Sequence, residues 1–278
     1  MKKVFIIAEA GINHNGNFSL AKKLISLSKK AGADAVKFQL FDTDSFINKK
    51  CLPLAYKRLK SLEFTTKKWK QIIAYSKKLK IKIFFSIFDT KSLMSLKQLK
   101  INLIKIPSGE INNFELLKNV SKTKKEVIIS TGMSNEKDIS NAIQILKKNK
   151  LSVLHCVSEY PVNLKNNNLN YLKTLNKNNF LHGIGFSDHS KSTILPSIAV
   201  ALGAKIIEKH ITYNNNQKKG DHKMSLSFKK FKEMVTNIRN TEIALGLDKK
   251  IISKEELSLS KIARKGIYLK KNLSKNQK

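Results

Sequence analysis

Eight short apolar runs rich in β-branched residues alternate with longer helical patterns, and this alternation constrains the fold more than any other feature of the sequence. Ser19, Thr65, Asn135 and Ser227 stand where N-caps of four of these helices are expected. Eight strand–helix units in roughly 245 residues predict an α/β fold of the (β/α)₈ or TIM-barrel type; an open doubly wound sheet has fewer strands and a glycine-rich first turn. The predicted strands are residues 4–8, 35–39, 83–86, 103–106, 127–130, 153–156, 183–187 and 206–210.

Lysine dominates the charge of the chain. The sequence holds 54 Lys+Arg against 20 Asp+Glu, a formal net charge of +34, yet only Arg58, Arg239 and Arg264 are arginine. Proteins that read nucleic acids depend on the bidentate arginine fork, which lysine does not provide. The lysines are also spread through nearly every predicted helix. We therefore interpret them as solvated surface and expect no specific nucleic-acid partner.

Hydropathy and cysteine content exclude several other classes of protein. With 41% hydrophobic residues the chain can bury a substantial core. No apolar run approaches the roughly 18 residues needed to cross a bilayer, and Glu9 interrupts the first run too early for a signal peptide. Cys51 and Cys156 cannot form a disulfide scaffold. We expect a cytoplasmic protein with no membrane partner.

The chain divides into a predicted barrel, residues 1–246, and a different C-terminal segment, residues 247–278. The second segment is rich in lysine and has Tyr268 as its only aromatic residue. This composition is typical of a linker or a docking tail.

Chemically capable side chains collect where the predicted strands end, which is the active-site face of a TIM barrel. Lys37 and Gln39 alternate along one strand and should point to the same side. A barrel that buries several charges around one mouth must compensate them, which favours a functional site there. The candidates at this face are Glu9, Lys37, Gln39, Ser86, Lys105, Ser108, Glu110, Ser130, Ser158, Tyr160, Ser187, His189, Glu208 and His210.

Part of the chemistry follows from the residue types. His189 and His210 end adjacent predicted strands, so their imidazoles can converge on a divalent ion such as Mn²⁺, Fe²⁺, Co²⁺ or Zn²⁺. Lys37 and Lys105, with the hydroxyls of nearby serines, suit a small, multiply charged anion such as a phosphorylated carboxylic acid. Glu9 and Glu110 are then the candidate proton-handling groups.

Seven motifs in the right order resemble the bacterial sialic acid synthase family, which includes N-acetylneuraminate, legionaminate and pseudaminate synthases. Together they span about residues 4 to 246 and are far more specific than any one alone. The motifs are IAEAGINHNG at 7–16, AGADAVKFQ at 31–39, KIPSGE at 105–110, STGM at 130–133, HCVSEYP at 155–161, GFSDHS at 185–190 and EKH at 208–210.

The resemblance implies a TIM barrel that condenses phosphoenolpyruvate with an N-acyl hexose, either N-acetylmannosamine or a 6-deoxy diacetamido analogue. The products are inorganic phosphate and a nine-carbon 2-keto sugar acid. It also implies a homodimer and a divalent metal at His189 and His210, Mn²⁺ first, with Mg²⁺ or Co²⁺ as alternatives. The implied catalytic residues are Glu9, Lys37, Lys105, Glu110 and Glu208, and the implied substrate-binding residues are Gln39, Ser86, Ser108, Ser130, Ser158, Tyr160, Ser187 and Asp221.

The sequence departs from the family pattern at three places. Lys219-Gly220-Asp221-His222 replaces the usual Gly-Pro-Asp-His, and Ser86-Ile87 replaces a Thr-Pro pair. Family members carry a small antifreeze-like domain after the barrel, which supplies an arginine to the neighbouring subunit's sugar site. Residues 262–268 resemble the start of the linker to it, so we expect the tail to lead to a domain absent from this chain.

Three other interpretations remain open at this point. The chain could be a different phosphoenolpyruvate aldol synthase that acts on a phosphorylated aldose. It could be a catalytically impaired barrel that binds sugars or partners. The charge of +34 also allows a general polyanion-binding protein, whose affinity for RNA or DNA would fall steeply with salt.

Overall fold

Eight parallel strands close into a barrel in the computed structural model, which describes residues 3–178, 181–217 and 219–277. Each strand pairs with the next in the chain, and the eighth pairs with the first. This is the predicted (β/α)₈ barrel, with every predicted strand confirmed. The strands are β1 Phe5–Gly11, β2 Ala35–Leu40, β3 Lys82–Ile87, β4 Leu103–Ile106, β5 Glu126–Ser130, β6 Leu151–Cys156, β7 Gly183–Asp188 and β8 Ile206–Thr212.

Helices surround the barrel and connect its strands. Thr65 and Asn135 cap their helices as predicted, and the last barrel helix starts directly after Ser227. The prediction for the first helix was wrong: Asn17 is the cap, and its side chain accepts from the Leu20 N–H at 3.1 Å. The helices are α1 Phe18–Lys30, α2 Thr43–Phe46, α3 Pro53–Lys60, α4 Thr66–Lys78, α5 Thr90–Gln98, α6 Phe114–Ser121, α7 Glu136–Leu146, α8 Tyr171–Leu175, α9 Leu195–Ala201 and α10 Phe228–Leu245.

Strand register sets which side chains meet at the mouth of the barrel. In β1, Glu9 lies opposite Lys37 of β2 on one side and opposite His210 of β8 on the other. In β7, Ser187 lies opposite Glu208 of β8. The strands are otherwise filled by Ile, Val, Leu and Phe residues with almost no exposed surface. The polar residues are therefore held in a rigid apolar frame.

A second compact unit begins at Gly246. It contains a helix, α11 Lys254–Ala263, which starts with a capping box between Ser253 and Glu256. No residue of α11 is buried, and Ile262 and Tyr268 are exposed. Sequence composition predicted a linker or tail here and did not predict this helix.

Within the described residues, no helix has the length and apolar character needed to span a membrane.

Candidate active site

Four buried charged side chains form the centre of the mouth. Lys37 Nζ lies 2.7 Å from Glu9 Oε2 and 3.7 Å from Glu208 Oε2. Lys105 Nζ lies 3.4 Å from Glu208 Oε1, so Glu208 stands between the two ammonium groups. None of the four is more than 5% exposed. Buried charges are tolerated only when paired, and here two lysines are paired with two carboxylates.

Serine hydroxyls complete this cluster at the ends of neighbouring strands. Lys37 donates to Ser86 Oγ at 2.7 Å, and Lys105 donates to Ser130 Oγ. Ser187 donates to Glu208 Oε1 at 3.0 Å. The cluster opens into a cavity of about 200 Å³, which is also lined by Gln39, Ser108, Ser158, Tyr160, His189 and His210. Hydroxyls and ammonium groups are hydrogen-bond donors, so the cavity is suited to a small anion.

The two carboxyl groups of the cluster have different proton affinities. Burial raises the pKa of Glu9 to about 7, although Lys37 opposes the shift. Burial also favours the protonated form of Glu208, but Lys105 and Lys37 outweigh it and lower the pKa of that carboxyl. Near neutral pH, Glu208 therefore holds the lysines as a carboxylate, whereas Glu9 can gain or lose a proton.

His189 and His210 lie side by side on the same wall, with ring centroids 5.6 Å apart. His189 Nδ1 is 2.8 Å from the Val157 carbonyl oxygen and must donate to it, which leaves Nε2 free to accept. Burial and neighbouring cationic groups hold the pKa of His210 well below its usual value, so this ring is neutral. Its buried Nδ1 has no hydrogen-bond partner among the described residues.

These two rings can supply two of the ligands that a divalent metal needs. Both rings line the same cavity, and a metal binds histidine through a neutral ring nitrogen. Burial favours the neutral form of His189, but the nearby Cys156 outweighs it and raises the pKa of this ring. Asp221 Oδ2 lies 3.9 Å from His210 Nδ1 and is the nearest carboxylate to it. Nevertheless, the described residues contain no group of three His, Cys, Asp or Glu side chains close enough to hold an ion by themselves. The metal at His189 and His210 stays a prediction.

A second, wider cavity of about 650 Å³ adjoins the first. The two share Gln39, Tyr160 and His210 in their linings. Asp221 lies on the wider side, with Lys191, Lys223 and Met224. Burial raises the pKa of the Asp221 carboxyl. The mouth thus has two chambers, a small one lined by paired lysines and carboxylates and a larger one lined by Asp221, Lys191, Lys223 and Met224.

One predicted catalytic residue is not brought to either chamber. Pro107 is followed by a 3₁₀ turn over Ser108–Glu110, and Glu110 lies outside both cavity linings. It is half-buried and accepts a hydrogen bond from Asn113 Nδ2 at 2.8 Å. Burial raises its pKa. The prediction rested on Glu110 following the end of β4, and its proton-handling role stays a prediction.

A buried ion pair that sequence reasoning missed lies on the far side of the same sheet. Lys209 Nζ is 2.5 Å from Asp188 Oδ2 and 2.6 Å from the Ser190 carbonyl oxygen. The Ser190 N–H donates to Asp188 Oδ1 at 2.7 Å. This pair ties the turn that carries His189 to the strand that carries His210. The signal was available, because a charge facing outward from a buried strand needs a partner.

A (β/α)₈ barrel with a buried lysine–carboxylate cluster and two adjoining chambers at the carboxyl ends of its strands has its candidate site where enzymes of the TIM-barrel class carry theirs. The NeuB family matches residues 24–250. The chain belongs to the NeuB family.

Several related proteins align with nearly the whole chain. The N,N'-diacetyllegionaminic acid synthase of Campylobacter jejuni is 39% identical and is covered over 88% of its length by 100% of this chain. The uncharacterized protein MJ1065 of Methanocaldococcus jannaschii is 40% identical, over 98% of this chain and 81% of its own. The crystal structure of N-acetylneuraminic acid synthetase from Leptospira borgpetersenii in complex with citrate superposes with a TM-score of 0.85 at 33% identity, over 94% of this chain and 91% of that one.

Proposed function

We propose that this protein condenses phosphoenolpyruvate with the open-chain form of an N-acyl amino hexose, forming a nine-carbon 2-keto sugar acid and releasing phosphate. The observation that carries the proposal is the pair of chambers that meet at Gln39, Tyr160 and His210. One chamber suits a small trianionic substrate and the other a larger polar one. The enzymes named among the relatives make legionaminic and N-acetylneuraminic acids.

The small chamber is assigned to phosphoenolpyruvate. Lys37 and Lys105 neutralise part of the charge of its phosphate and carboxylate, and the serine hydroxyls add directed donors. Glu208 keeps both ammonium groups in place while the site is empty. Since these groups are fixed before substrate arrives, little reorganisation is needed during the reaction.

The wider chamber is assigned to the sugar, with its aldehyde end toward His210. His189 and His210 would hold the divalent ion, Mn²⁺ first, with Mg²⁺ or Co²⁺ as alternatives. When bound, such an ion acts as a Lewis acid toward a carbonyl oxygen. Gln39 and Tyr160 line both chambers, Asp221 lines the wider one, and all three are assigned to orient the sugar.

The proposed bond changes balance as follows. Carbon 3 of phosphoenolpyruvate forms a bond to the aldehyde carbon, whose oxygen takes up a proton, and carbon 2 becomes electron-poor. Water adds to carbon 2 and loses a proton, after which the carbon–oxygen bond to phosphate breaks, the remaining hydroxyl proton passes to the leaving phosphate, and the ketone forms. Glu9, with a pKa of about 7, is assigned to stabilise the positive charge and to exchange these protons.

Phosphate release by the purified full chain tests the proposal. Release is measured with Mn²⁺ and phosphoenolpyruvate, with N-acetylmannosamine, with a 6-deoxy diacetamido analogue and without acceptor. We expect release only when acceptor and metal are both present, and its loss in His210→Ala. Asn216→Ala, an exposed position outside both chambers, serves as the matched control. Release without any acceptor, or full activity in His210→Ala, would overturn the proposal.

The assembly state is a separate proposal. We propose a homodimer located in the cytoplasm, in which a second copy covers some of the exposed apolar side chains of residues 246–277. Light scattering of the full chain distinguishes a dimer from a monomer.

A further inference from the structure

The loop that carries Asp221 is held to the barrel by residues outside both chambers. Asp221 belongs to the connection between β8 and a short strand, β9 Leu226–Ser227, which pairs with the end of β8. Its side chain reaches into the wider chamber. A single carboxylate on a loop is poorly positioned unless the loop itself is fixed, so the attachments of this segment decide where the carboxylate lies.

Asn13 is the first attachment. It follows β1, has no exposed surface and uses both ends of its amide. Its Oδ1 accepts from the Asp221 N–H at 2.8 Å, and its Nδ2 donates to the Ile211 carbonyl at 2.9 Å and to Ser225 Oγ at 3.0 Å. The Ser225 hydroxyl in turn donates to the Asp221 carbonyl at 2.6 Å. One amide therefore joins β1, β8 and both sides of the Asp221 loop.

His222 provides a second attachment next to the first. Its Nδ1 lies 2.6 Å from Thr212 Oγ1, and its Nε2 lies 3.2 Å from Asn15 Nδ2. The Thr212 hydroxyl hydrogen is directed to the Asn214 carbonyl, so His222 donates through Nδ1 and accepts from Asn15 through Nε2. The ring is completely buried. It ties the residue after Asp221 to both β8 and the loop after β1.

Two glycines allow the loop to approach this closely. Gly220 has a φ of +82°, and a Cβ there would lie 3.0 Å from Asn13 Oδ1. Gly11 has a φ of +49°, and a Cβ there would lie 3.2 Å from both Asp221 Oδ2 and Glu9 Oε1. Asp221 is thus lodged against β1, beside the proton-handling carboxyl, with little room to move.

We propose that Asn13 is a positioning residue for the sugar acceptor: it fixes Asp221 at the wall of the wider chamber and thereby sets acceptor affinity without touching the substrate. This inference rests on the proposed function, in which the wider chamber takes the acceptor. Asn13 does not line the small chamber. Its loss should therefore weaken acceptor binding and leave phosphoenolpyruvate binding unchanged.

Steady-state kinetics of Asn13→Ala and Asn13→Asp test this inference. The alanine removes the whole amide; the aspartate keeps the shape but replaces both N–H donors with an oxygen that faces the Ile211 carbonyl. We expect the acceptor KM to rise by about tenfold or more in each, because at least one buried hydrogen bond is lost. The phosphoenolpyruvate KM should stay within about twofold of that of the parent. An equal rise in both KM values would overturn the inference.

A double-mutant cycle with Asp221→Asn separates positioning from general damage. If Asn13 acts through Asp221, the effects of the two changes on acceptor KM are not additive. Additive effects would overturn the inference. Asn15→Gly, which removes the bond to His222 and tolerates the positive φ of 49° at this position, is the milder variant for the case in which Asn13→Ala fails to fold, and a rise in acceptor KM of about threefold is expected from it.

Amide hydrogen exchange tests whether Asn13 holds the Asp221 loop in place, and it does not require an active enzyme. Exchange over residues 219–225 should accelerate by about tenfold in Asn13→Asp and remain unchanged in Asn216→Ala. Unchanged exchange in Asn13→Asp would overturn the inference even if the enzyme is active. If the parent releases no phosphate with any acceptor, the proposed function fails, and this measurement still tests the role of Asn13 as the loop's anchor.

Discussion

Lysine plays opposite parts at the two ends of this barrel. At the carboxyl ends of the strands, Lys37 and Lys105 are buried, paired with carboxylates and arranged around a cavity of about 200 Å³. At the amino ends, Lys80, Lys100 and Lys124 are exposed along a groove of about 1010 Å³, which is larger than either chamber of the mouth. The larger cavity and the exposed lysines therefore lie away from the candidate active site, whereas the buried, paired lysines lie in it.

The three groove lysines also differ from the mouth lysines in backbone conformation. Each follows a helix and has a positive φ, of 53°, 57° and 53°. Glycine or asparagine usually takes this position, because a Cβ is strained there. Within the described residues none of the three ammonium groups forms an ion pair with a carboxylate. The ammonium groups of these lysines remain solvated, so their charges contribute little to the free energy of unfolding.

The largest contrast is expected between Lys37→Met and Lys124→Met. Loss of Lys37 removes a cation from the proposed anion site and leaves Glu9 without its 2.7 Å partner, so phosphate release should fall by about 10³-fold. Lys124→Met should retain full activity. Release assays on both variants at saturating substrate check this, and comparable losses in the two would remove the distinction between the two ends.

Next in size is the effect of Lys209→Met on stability. This change strands the Asp188 carboxylate in a buried position, and breaking one side of a buried pair costs about 3–5 kcal/mol. Urea denaturation measures the free energy of unfolding. Pairing the change with Asp188→Leu should recover part of the loss, because no charge is then left unpaired. A loss below about 1 kcal/mol, which is the value of a surface ion pair, would show that Lys209 contributes as little to stability as the exposed lysines of the groove.

His14 tests what burial does to a basic group that has no carboxylate partner. It packs against Phe64 and Trp69, and burial lowers its pKa to about 4. The unfolded chain takes up a proton near pH 6.5 and the folded chain does not, so stability should fall as the pH drops from about 6.5 to 4, by up to about 3 kcal/mol. Urea titrations across this range should show a smaller slope in His14→Gln. An unchanged slope would show that His14 is not responsible.

The smallest effect is expected at the groove itself. Lys124→Gly relieves the strain of a positive φ while giving the unfolded chain more freedom, so the free energy of unfolding should rise by at most about 1 kcal/mol. Phosphate release should not change. A clear loss of stability in urea would mean that the Lys124 side chain makes a contribution that its exposure does not suggest.

Sequence periodicity predicted most of the barrel because buried parallel strands are continuous β-branched runs. It also predicted that Lys37 and Gln39 face the same side, since side chains alternate along a strand, and both line the mouth. Beyond the strand ends this rule no longer applies. Glu110 lies in a 3₁₀ turn past the end of β4, where strand alternation does not predict its direction. The contacts of Asn13 could not be predicted because its partners Ile211 and Asp221 are about 200 residues away in the chain.

The alternation of side chains along strand β8 limits which insertions and deletions a gene for this protein can tolerate. Glu208 and His210 face the chambers, and Lys209 between them faces the opposite side, where it pairs with Asp188. A gain or loss of a single residue before this point would swap the two faces, putting Lys209 into the mouth and two site residues behind the sheet. Three consecutive codons are therefore constrained from both sides, and insertions or deletions should be tolerated least here.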